Sequence, residues 1–129
     1  MHKKTLGLHM IVGHGEADIL RRCLTSFQAD KYFDEIAINV TCQDRSVLDE
    51  AAHWTQRLTC TQFADASYPF GNFARARNVA LDFCTTDYVM WLDADDVLDP
   101  QYLPAFWKIR GIIDHNDFDY YVMPYNISI

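Results

Sequence analysis

Short apolar segments alternate with helical patterns along this chain, and that alternation restricts the folds open to it. Five segments are predicted to be strands: residues 5–12, 36–40, 58–63, 88–92 and 120–123. Four stretches between them are predicted to be helices: residues 19–27, 47–56, 73–84 and a stretch that begins with Asp99 and Pro100. Strands and helices that alternate in this way predict an α/β fold, a doubly wound and mostly parallel sheet with helices on both faces.

The size and charge of the chain indicate one domain with no role in binding nucleic acid. The 129 residues are 50% hydrophobic, which is enough for one core, so residues 1–129 are predicted to form a single domain. The chain has 11 Lys and Arg against 18 Asp and Glu, a net charge of -7. Because binding to a duplex needs a basic surface that releases counterions, nucleic acid is excluded as the main partner.

The cysteines and the N-terminal segment favour a cytoplasmic protein without a membrane anchor. The four cysteines lie far apart and include no CxxC pair, so they are predicted to be reduced. The first apolar segment ends at Gly13, too early for a signal peptide or a membrane span. No transmembrane segment is therefore expected.

Three carboxylates follow the apolar segment 88–92 within four residues: Asp93, Asp95 and Asp96. In parallel α/β sheets, ligands bind beyond the carboxyl ends of the strands. Carboxylates this close repel one another, and a hard divalent cation such as Mg²⁺ or Mn²⁺ would offset the repulsion. The alternative is a solvated acidic turn in which Asp96 or Asp99 caps the next helix. The position at a strand end favours the metal site.

The helix predicted before this strand carries an arginine inside its apolar stripe. The stripe consists of Phe73, Ala76, Ala80, Phe83 and Cys84, with Arg75, Asn78 and Asp82 on the opposite side. Arg77 falls within the stripe. Its side chain either extends outward to solvent or points into the ligand crevice, where it could bind a phosphate or hold an aspartate in place.

Several known ligand-binding motifs are excluded, and some residues are predicted to be purely structural. An EF-hand is excluded because Leu98 occupies the position where that loop needs glycine, and neither a P-loop nor a GxGxxG motif is present. The three tryptophans, Trp54, Trp91 and Trp107, are predicted to be core or near-core rings. His9 is assigned no function. The segment 88–92 is predicted to be a central strand.

Four sequence segments occur in an order that is typical of one enzyme family. They are LGLHMIVGHGEADILRRCLTSF from Leu6, FDEIAINV from Phe33, FARARNVAL from Phe73 and DYVMWLDADDVL from Asp87. Together they resemble the inverting, nucleotide-sugar-dependent glycosyltransferases of family 2, as the family occurs in bacteria. The resemblance implies the GT-A fold, a Rossmann-like, mostly parallel sheet flanked by helices.

The resemblance also implies how the chain would bind its donor substrate, a nucleoside-diphosphate sugar. The triplet Asp93-Ala94-Asp95 would be the DxD motif of the family, with Asp93 facing the donor ribose and Asp95 binding Mn or Mg. Asp96 would assist in binding the metal. Arg77 matches the helix arginine that lies near the donor diphosphate.

Two donor-contacting loops depart from the family pattern. The loop after Val12 would pass over the nucleotide, but residues 13–16 read Gly-His-Gly-Glu where the family usually has Lys-Asn-Glu. His14 and Glu16 are the expected contacts there. The second strand of the family usually ends in an aspartate that contacts the base. This chain has Val-Thr at that point, and Asp44 is the candidate to replace the aspartate.

The resemblance implies only part of a transferase. Inverting transfer needs a general base, and in this family the base comes from the second half of the domain. The chain is therefore expected to be the donor-binding half of a truncated GT-A domain, with its acceptor and its catalytic residues unassigned. The alternative is a non-catalytic α/β module that binds a nucleotide or a metal.

Overall fold

Strands and helices alternate along the part of the chain that the computed structural model describes, residues 3–61 and 73–121. In chain order the elements are β1 (Leu6–Val12), α1 (Ala17–Ser26), α2 (Ala29–Tyr32), β2 (Glu35–Val40), α3 (Arg45–Trp54), β3 (Arg57–Cys60), α4 (Phe73–Leu81), β4 (Tyr88–Trp91), a 3-10 turn (Pro100–Tyr102) and α5 (Leu103–His115). Among these residues, no helix is long and apolar enough to cross a bilayer.

The four described strands form one parallel sheet in the order β3-β2-β1-β4. The chain runs outward from β1 to β2 and β3, and then returns to place β4 on the other side of β1. The strand order therefore reverses between β1 and β4. In open α/β sheets, ligands bind in the crevice at the carboxyl ends of the strands at such a reversal.

The larger core lies between one face of the sheet and helices α1, α2, α3 and α5. Alternate residues of β1 (Leu6, Leu8, Met10 and Val12) and of β2 (Ile36, Ile38 and Val40) are buried there with residues of these helices. Helix α4 packs on β1 and β2, on the opposite face, where Ala76 approaches Asn39. Helices therefore cover both faces, and the predicted α/β fold is confirmed.

The chain around α4 lies close to the sheet because the residues between them are small. Ala37, Ala76 and Ala80 are almost completely buried. Gly7 of β1 has no side chain, and a Cβ atom there would lie 2.5 Å from the Thr86 hydroxyl in the turn before β4. Helix α4, which carries Arg77, is thus followed by a turn that lies directly against β1.

The prediction that the segment 88–92 is a central strand is wrong for the described sheet. Among the residues that the structure describes, β4 pairs with β1 alone and forms an edge. Val89 and Trp91 are 42% and 62% exposed, so Trp91 is not the core ring that was predicted. Trp107 also lies at the surface and Trp54 is half-buried.

Other differences concern the ends of elements and the thiols. Strand β3 ends at Cys60, and residues 62–63 of the predicted strand lie outside the described residues. Residues 120–121 are not in a strand, while 122–123 also lie outside. Helix α4 ends at Leu81, which leaves Phe83 exposed rather than in the predicted stripe. The four cysteines are free thiols, of which only Cys23 is fully buried.

Candidate functional site

The acidic loop after β4 is a tight turn that directs its carboxylates outward. The Asp96 amide donates to the Asp93 carbonyl at 2.9 Å, and the Asp96 carboxylate accepts from the Asp93 amide at 2.8 Å. Leu92 and Ala94 are buried, so the alternating side chains of Asp93 and Asp95 lie at the surface. One carboxylate oxygen each from Asp93, Asp95 and Asp96 lies within 4.8 Å of the other two. We refer to these three residues as the acidic cluster.

The residue that caps the next helical segment is Asp99, which lies outside the acidic cluster. The Asp99 carboxylate accepts from the Gln101 amide at 3.1 Å and caps the 3-10 turn that leads into α5. Pro100 occupies the first position of that turn, as the sequence predicts. Because Asp99 supplies this cap, capping does not account for the acidic cluster.

Arg77 of α4 points at the acidic cluster. Its Nη2 atom donates to the Asp93 Oδ1 atom at 2.5 Å, in an ion pair with about a quarter of the Arg77 side chain exposed. Of the two orientations that the sequence leaves open, the structure has the one that holds an aspartate. The Arg77 Nη1 atom is buried and has no hydrogen-bond partner in the described structure. A buried donor without a partner is costly, and this one lies beside the acidic cluster.

Helix α1 supports the acidic loop from the core side. The Cys23 thiol is fully buried and donates to the Asp93 carbonyl at 3.6 Å. The pKa of Cys23 is raised to about 12, first by burial and then by the charges of Asp96, Asp95 and Asp93. Cys23 therefore remains a thiol and keeps its donor. The Ser26 hydroxyl accepts from the Leu98 amide at 3.0 Å just beyond the cluster.

The loop after β1 is held by contacts within itself and with the next strand. The Glu16 carboxylate accepts from the Gly13 amide at 2.6 Å. Gly15 has a φ of +75°, a left-handed conformation that favours glycine. The Val12 side chain is buried in the core, and its carbonyl accepts from the Thr41 amide and hydroxyl at 2.9 and 3.2 Å. Only the backbone at Val12 could therefore approach a ligand.

Asp44 connects that loop to helix α3. Its carboxylate caps α3 by accepting from the Ser46 amide and hydroxyl, and it also accepts from the Gly15 amide at 3.0 Å. The His14 ring lies 3.4 Å from the Asp44 carboxylate, with 85% of its side chain exposed. The pKa of Asp44 is lowered, first by the Ser46 hydroxyl and then by the Gly15 amide. Asp44 thus fixes the loop, and His14 is its solvent-facing member.

These residues form two groups at the edge of the sheet where the strands end. One group joins Arg77 to the acidic cluster after β4. The other joins His14, Gly15 and Asp44 after β1 and β2. Since β1 and β4 are neighbours at the strand-order reversal, both groups lie where an α/β sheet binds ligands.

The structure also identifies two buried polar residues beneath α4 that the sequence analysis missed. His9 of β1 is 6% exposed, and its ring centroid lies 6.3 Å from that of Trp91. Asn39 of β2 is fully buried and makes hydrogen bonds to Thr59 of β3, to Thr61 directly after β3, and to Ala76 of α4. The available signal was a polar residue inside an otherwise apolar strand, because most buried polar groups have hydrogen-bond partners. Asn39 has such partners, whereas the buried His9 Nδ1 atom has none in the described structure.

Acid is expected to destabilise the protein through His9. Its pKa is lowered from the usual value, first by burial and second by the charge of Arg77. The His9 contribution to the free energy of unfolding is therefore fully present above about pH 6.5. It is lost as the pH falls from there through the lower folded-state pKa, because over this range the unfolded chain binds the proton and the folded chain does not. We expect His9→Gln to reduce the loss of stability between about pH 7.5 and pH 5, measured by urea unfolding.

The matched control is His53→Gln, since His53 is an exposed residue of α3. This substitution should leave the pH dependence of the wild type unchanged. An unchanged pH dependence in His9→Gln would show that His9 is not a source of the acid sensitivity.

Comparison with known proteins gives matches at the level of sequence and of fold. A sequence model described as "Glycosyl transferase family 2" matches residues 10–123. A TPR repeat-containing protein of Synechococcus elongatus is 33% identical over 111 residues, which cover 84% of this chain and 24% of that protein. A crystal structure of S. aureus TarS 1-349 has a similar fold, with a TM-score of 0.58 and 19% identity over 86% of this chain and 32% of that chain. The chain thus spans a quarter to a third of the length of these two proteins.

Proposed function

Since the chain belongs to glycosyl transferase family 2, we propose that it is the donor-binding portion of a metal-dependent, inverting glycosyltransferase whose donor is a nucleoside-diphosphate sugar. The observation that most supports the proposal is the acidic cluster at the end of β4, with Arg77 paired to its first member. The donor would bind in the crevice between this cluster and the loop after β1.

The chemistry of the acidic cluster fits Mg²⁺ or Mn²⁺. All of the available ligand atoms are carboxylate oxygens, which these hard cations prefer. Asp93 Oδ1 accepts from Arg77, and the Asp96 carboxylate accepts from the Asp93 amide, so both carboxylates are held in place at the cluster. Asp95 has no hydrogen-bond partner within residues 3–61 and 73–121 and would be the principal ligand, with Asp93 and Asp96 assisting. A bound cation would supply charge stabilisation for the departing nucleoside diphosphate.

Arg77 would act on the same diphosphate from α4. Its guanidinium orients Asp93 through Nη2 and keeps the buried Nη1 donor for an oxygen of the diphosphate. Arginine suits this task because its planar fork binds two acceptors at once. In a chain of net charge -7, such local donors are needed to hold an anionic ligand.

The loop after β1 would contact the nucleoside. Asp44 holds this loop through the Gly15 amide, and the exposed His14 ring faces away from the core. We assign to His14, Glu16 and the backbone at Val12 the contacts with the donor. Asp44 would take the place of the family's base-contacting aspartate, with its present partners Ser46 and Gly15 keeping it in position.

Donor binding is assigned to this chain, and sugar transfer to the whole protein. The acceptor and the general base that inversion requires are left unassigned, since the chain spans a quarter to a third of the proteins that it matches. A cytoplasmic location would fit the four free thiols.

The proposal is tested by the thermal stability of the protein with nucleotides. We expect at least one of UDP, GDP, ADP, CDP and dTDP to raise the melting temperature when Mn²⁺ or Mg²⁺ is present. Saturation at a hundred times Kd corresponds to about 2.7 kcal/mol of stabilisation. Excess chelator and the matching nucleosides serve as controls and should give no shift. The absence of a shift with the whole panel would contradict the proposal.

A further inference from the structure

Asn39 is a fully buried amide in the middle of the sheet. Its Nδ2 atom donates to the Thr61 hydroxyl at 2.8 Å and to the Ala76 carbonyl of α4 at 3.1 Å. Its Oδ1 atom accepts from the hydroxyls of Thr59 and Thr61, both at 3.0 Å. These contacts satisfy the whole side chain, which offsets the cost of removing it from water. Asn39 thus joins β2, the end of β3 and the first half of α4.

Small side chains form part of the contact between α4 and the sheet, with Ala76 and Ala80 on the helix and Ala37 on β2. Small side chains allow a close approach, but they supply few projecting groups that would resist a shift of the helix along the sheet. A buried polar contact is a well-attested means of fixing register. The bond from Asn39 to the Ala76 carbonyl is such a contact.

The position of α4 determines where Arg77 lies. Arg77 directly follows Ala76, and its Nη2 atom lies 2.5 Å from Asp93. A shift of one residue along a helix moves a side chain by about 1.5 Å and turns it by about 100°. Such a shift would remove the guanidinium from Asp93, and with it the Nη1 donor that the proposed function assigns to the diphosphate.

We propose that Asn39 is a positioning residue, which fixes α4 so that Arg77 meets Asp93 and faces the donor diphosphate. Asn39 is fully buried, so it acts through Ala76 and Arg77 rather than by touching a ligand. The role toward the ligand rests on the proposed function, whereas the role in fixing α4 does not.

The test is a double-mutant cycle of Asn39→Leu and Arg77→Ala. Binding is measured by calorimetry with Mn²⁺ and the panel nucleoside diphosphate that stabilises the wild type most. We expect Asn39→Leu to weaken binding about tenfold in the wild-type background. In the Arg77→Ala background it should weaken binding less than about twofold, because Asn39 acts through that arginine. No weakening, or equal weakening in both backgrounds, would overturn the proposal.

The matched control is Tyr32→Phe. The Tyr32 hydroxyl donates to the Phe106 carbonyl at 3.0 Å in the core on the other side of the sheet. This variant also removes a buried hydrogen bond, but away from α4, so its affinity for the nucleotide should change less than about twofold. An equal loss in Tyr32→Phe would mean that binding responds to general destabilisation, and the positioning role would be rejected.

Hydrogen exchange separates the failure of this proposal from failure of the proposed function. In Asn39→Leu, the amides of residues 77–81 should exchange at least about tenfold faster than in the wild type, while those of β1 stay protected. If the wild type binds no nucleotide, the proposed function fails, and the exchange data still decide whether Asn39 fixes α4. If Asn39→Leu does not fold, Thr59→Val replaces it, because this variant removes one of the four contacts of Asn39. Thr59→Val should show the same changes in exchange and affinity, but smaller. Unchanged exchange and affinity in Thr59→Val would overturn the proposal.

Discussion

We expect Asp95→Asn to abolish the thermal stabilisation that the proposed function predicts for Mn²⁺ with a nucleoside diphosphate. Asp95 is exposed and has no hydrogen-bond partner within the described residues, so its carboxylate is fully available to a cation. An amide keeps the size of the side chain but loses its charge, and hard divalent cations bind carboxylates in preference. The loss should amount to the whole ligand-dependent stabilisation, about 2.7 kcal/mol at a hundred times Kd.

The stability of the protein without ligand separates this effect from damage to the fold. Because Asp95 makes no hydrogen bond to a described residue and its charge repels Asp93 and Asp96, we expect Asp95→Asn to melt no more than about a degree below the wild type when no ligand is present. Asp30→Asn is the matched control, an exposed aspartate of α2, and should keep the full shift. A full shift in Asp95→Asn would remove Asp95 from the metal site.

Ile38→Ala should produce the largest loss of stability among the predicted substitutions. Ile38 lies in β2, the strand between β1 and β3, and is 0% exposed. Truncation of a fully buried isoleucine leaves a cavity and costs about 2–5 kcal/mol of the free energy of unfolding. Urea unfolding at constant pH measures the change, and a constant slope would show that the unfolded state is unaltered.

Ile112→Ala is the matched control because it makes the same chemical change at the surface of α5, where Ile112 is 49% exposed. We expect this substitution to change the free energy of unfolding by less than about 1 kcal/mol. Similar losses in the two variants would contradict the placement of the core between the sheet and helices α1, α2, α3 and α5.

The elements of this fold could be predicted from the sequence because they depend on local patterns. Predicted strands 5–12, 36–40 and 88–92 differ from β1, β2 and β4 by one residue at one end. The order of the strands could not be obtained in the same way. An apolar run indicates that a strand is buried on at least one side, but not which neighbours it has, so the strand predicted to be central is an edge strand in the sheet that the described residues form.

In the candidate site too, the contacts between residues close in sequence could be predicted, and the contacts between distant residues could not. The acidic cluster could be predicted because its three carboxylates lie within four residues of one another. The contact from Arg77 to Asp93 joins α4 to the loop after β4, so the sequence left two orientations open. Asn39 was missed because its partners are distant in the sequence: Thr59 of β3, Thr61 directly after β3, and Ala76 of α4.

The position of β4 at an edge of the described sheet has a consequence for how this site could change. The sheet holds β4 from one side, and the acidic loop also depends on Cys23 and Ser26 of α1 and on Arg77 of α4. Changes at Ser26 and Arg77, which lie outside the core, could therefore alter the spacing of the carboxylates while the pairing of β4 with β1 remains intact. In the proposed metal site, such changes would be a route to a different metal preference.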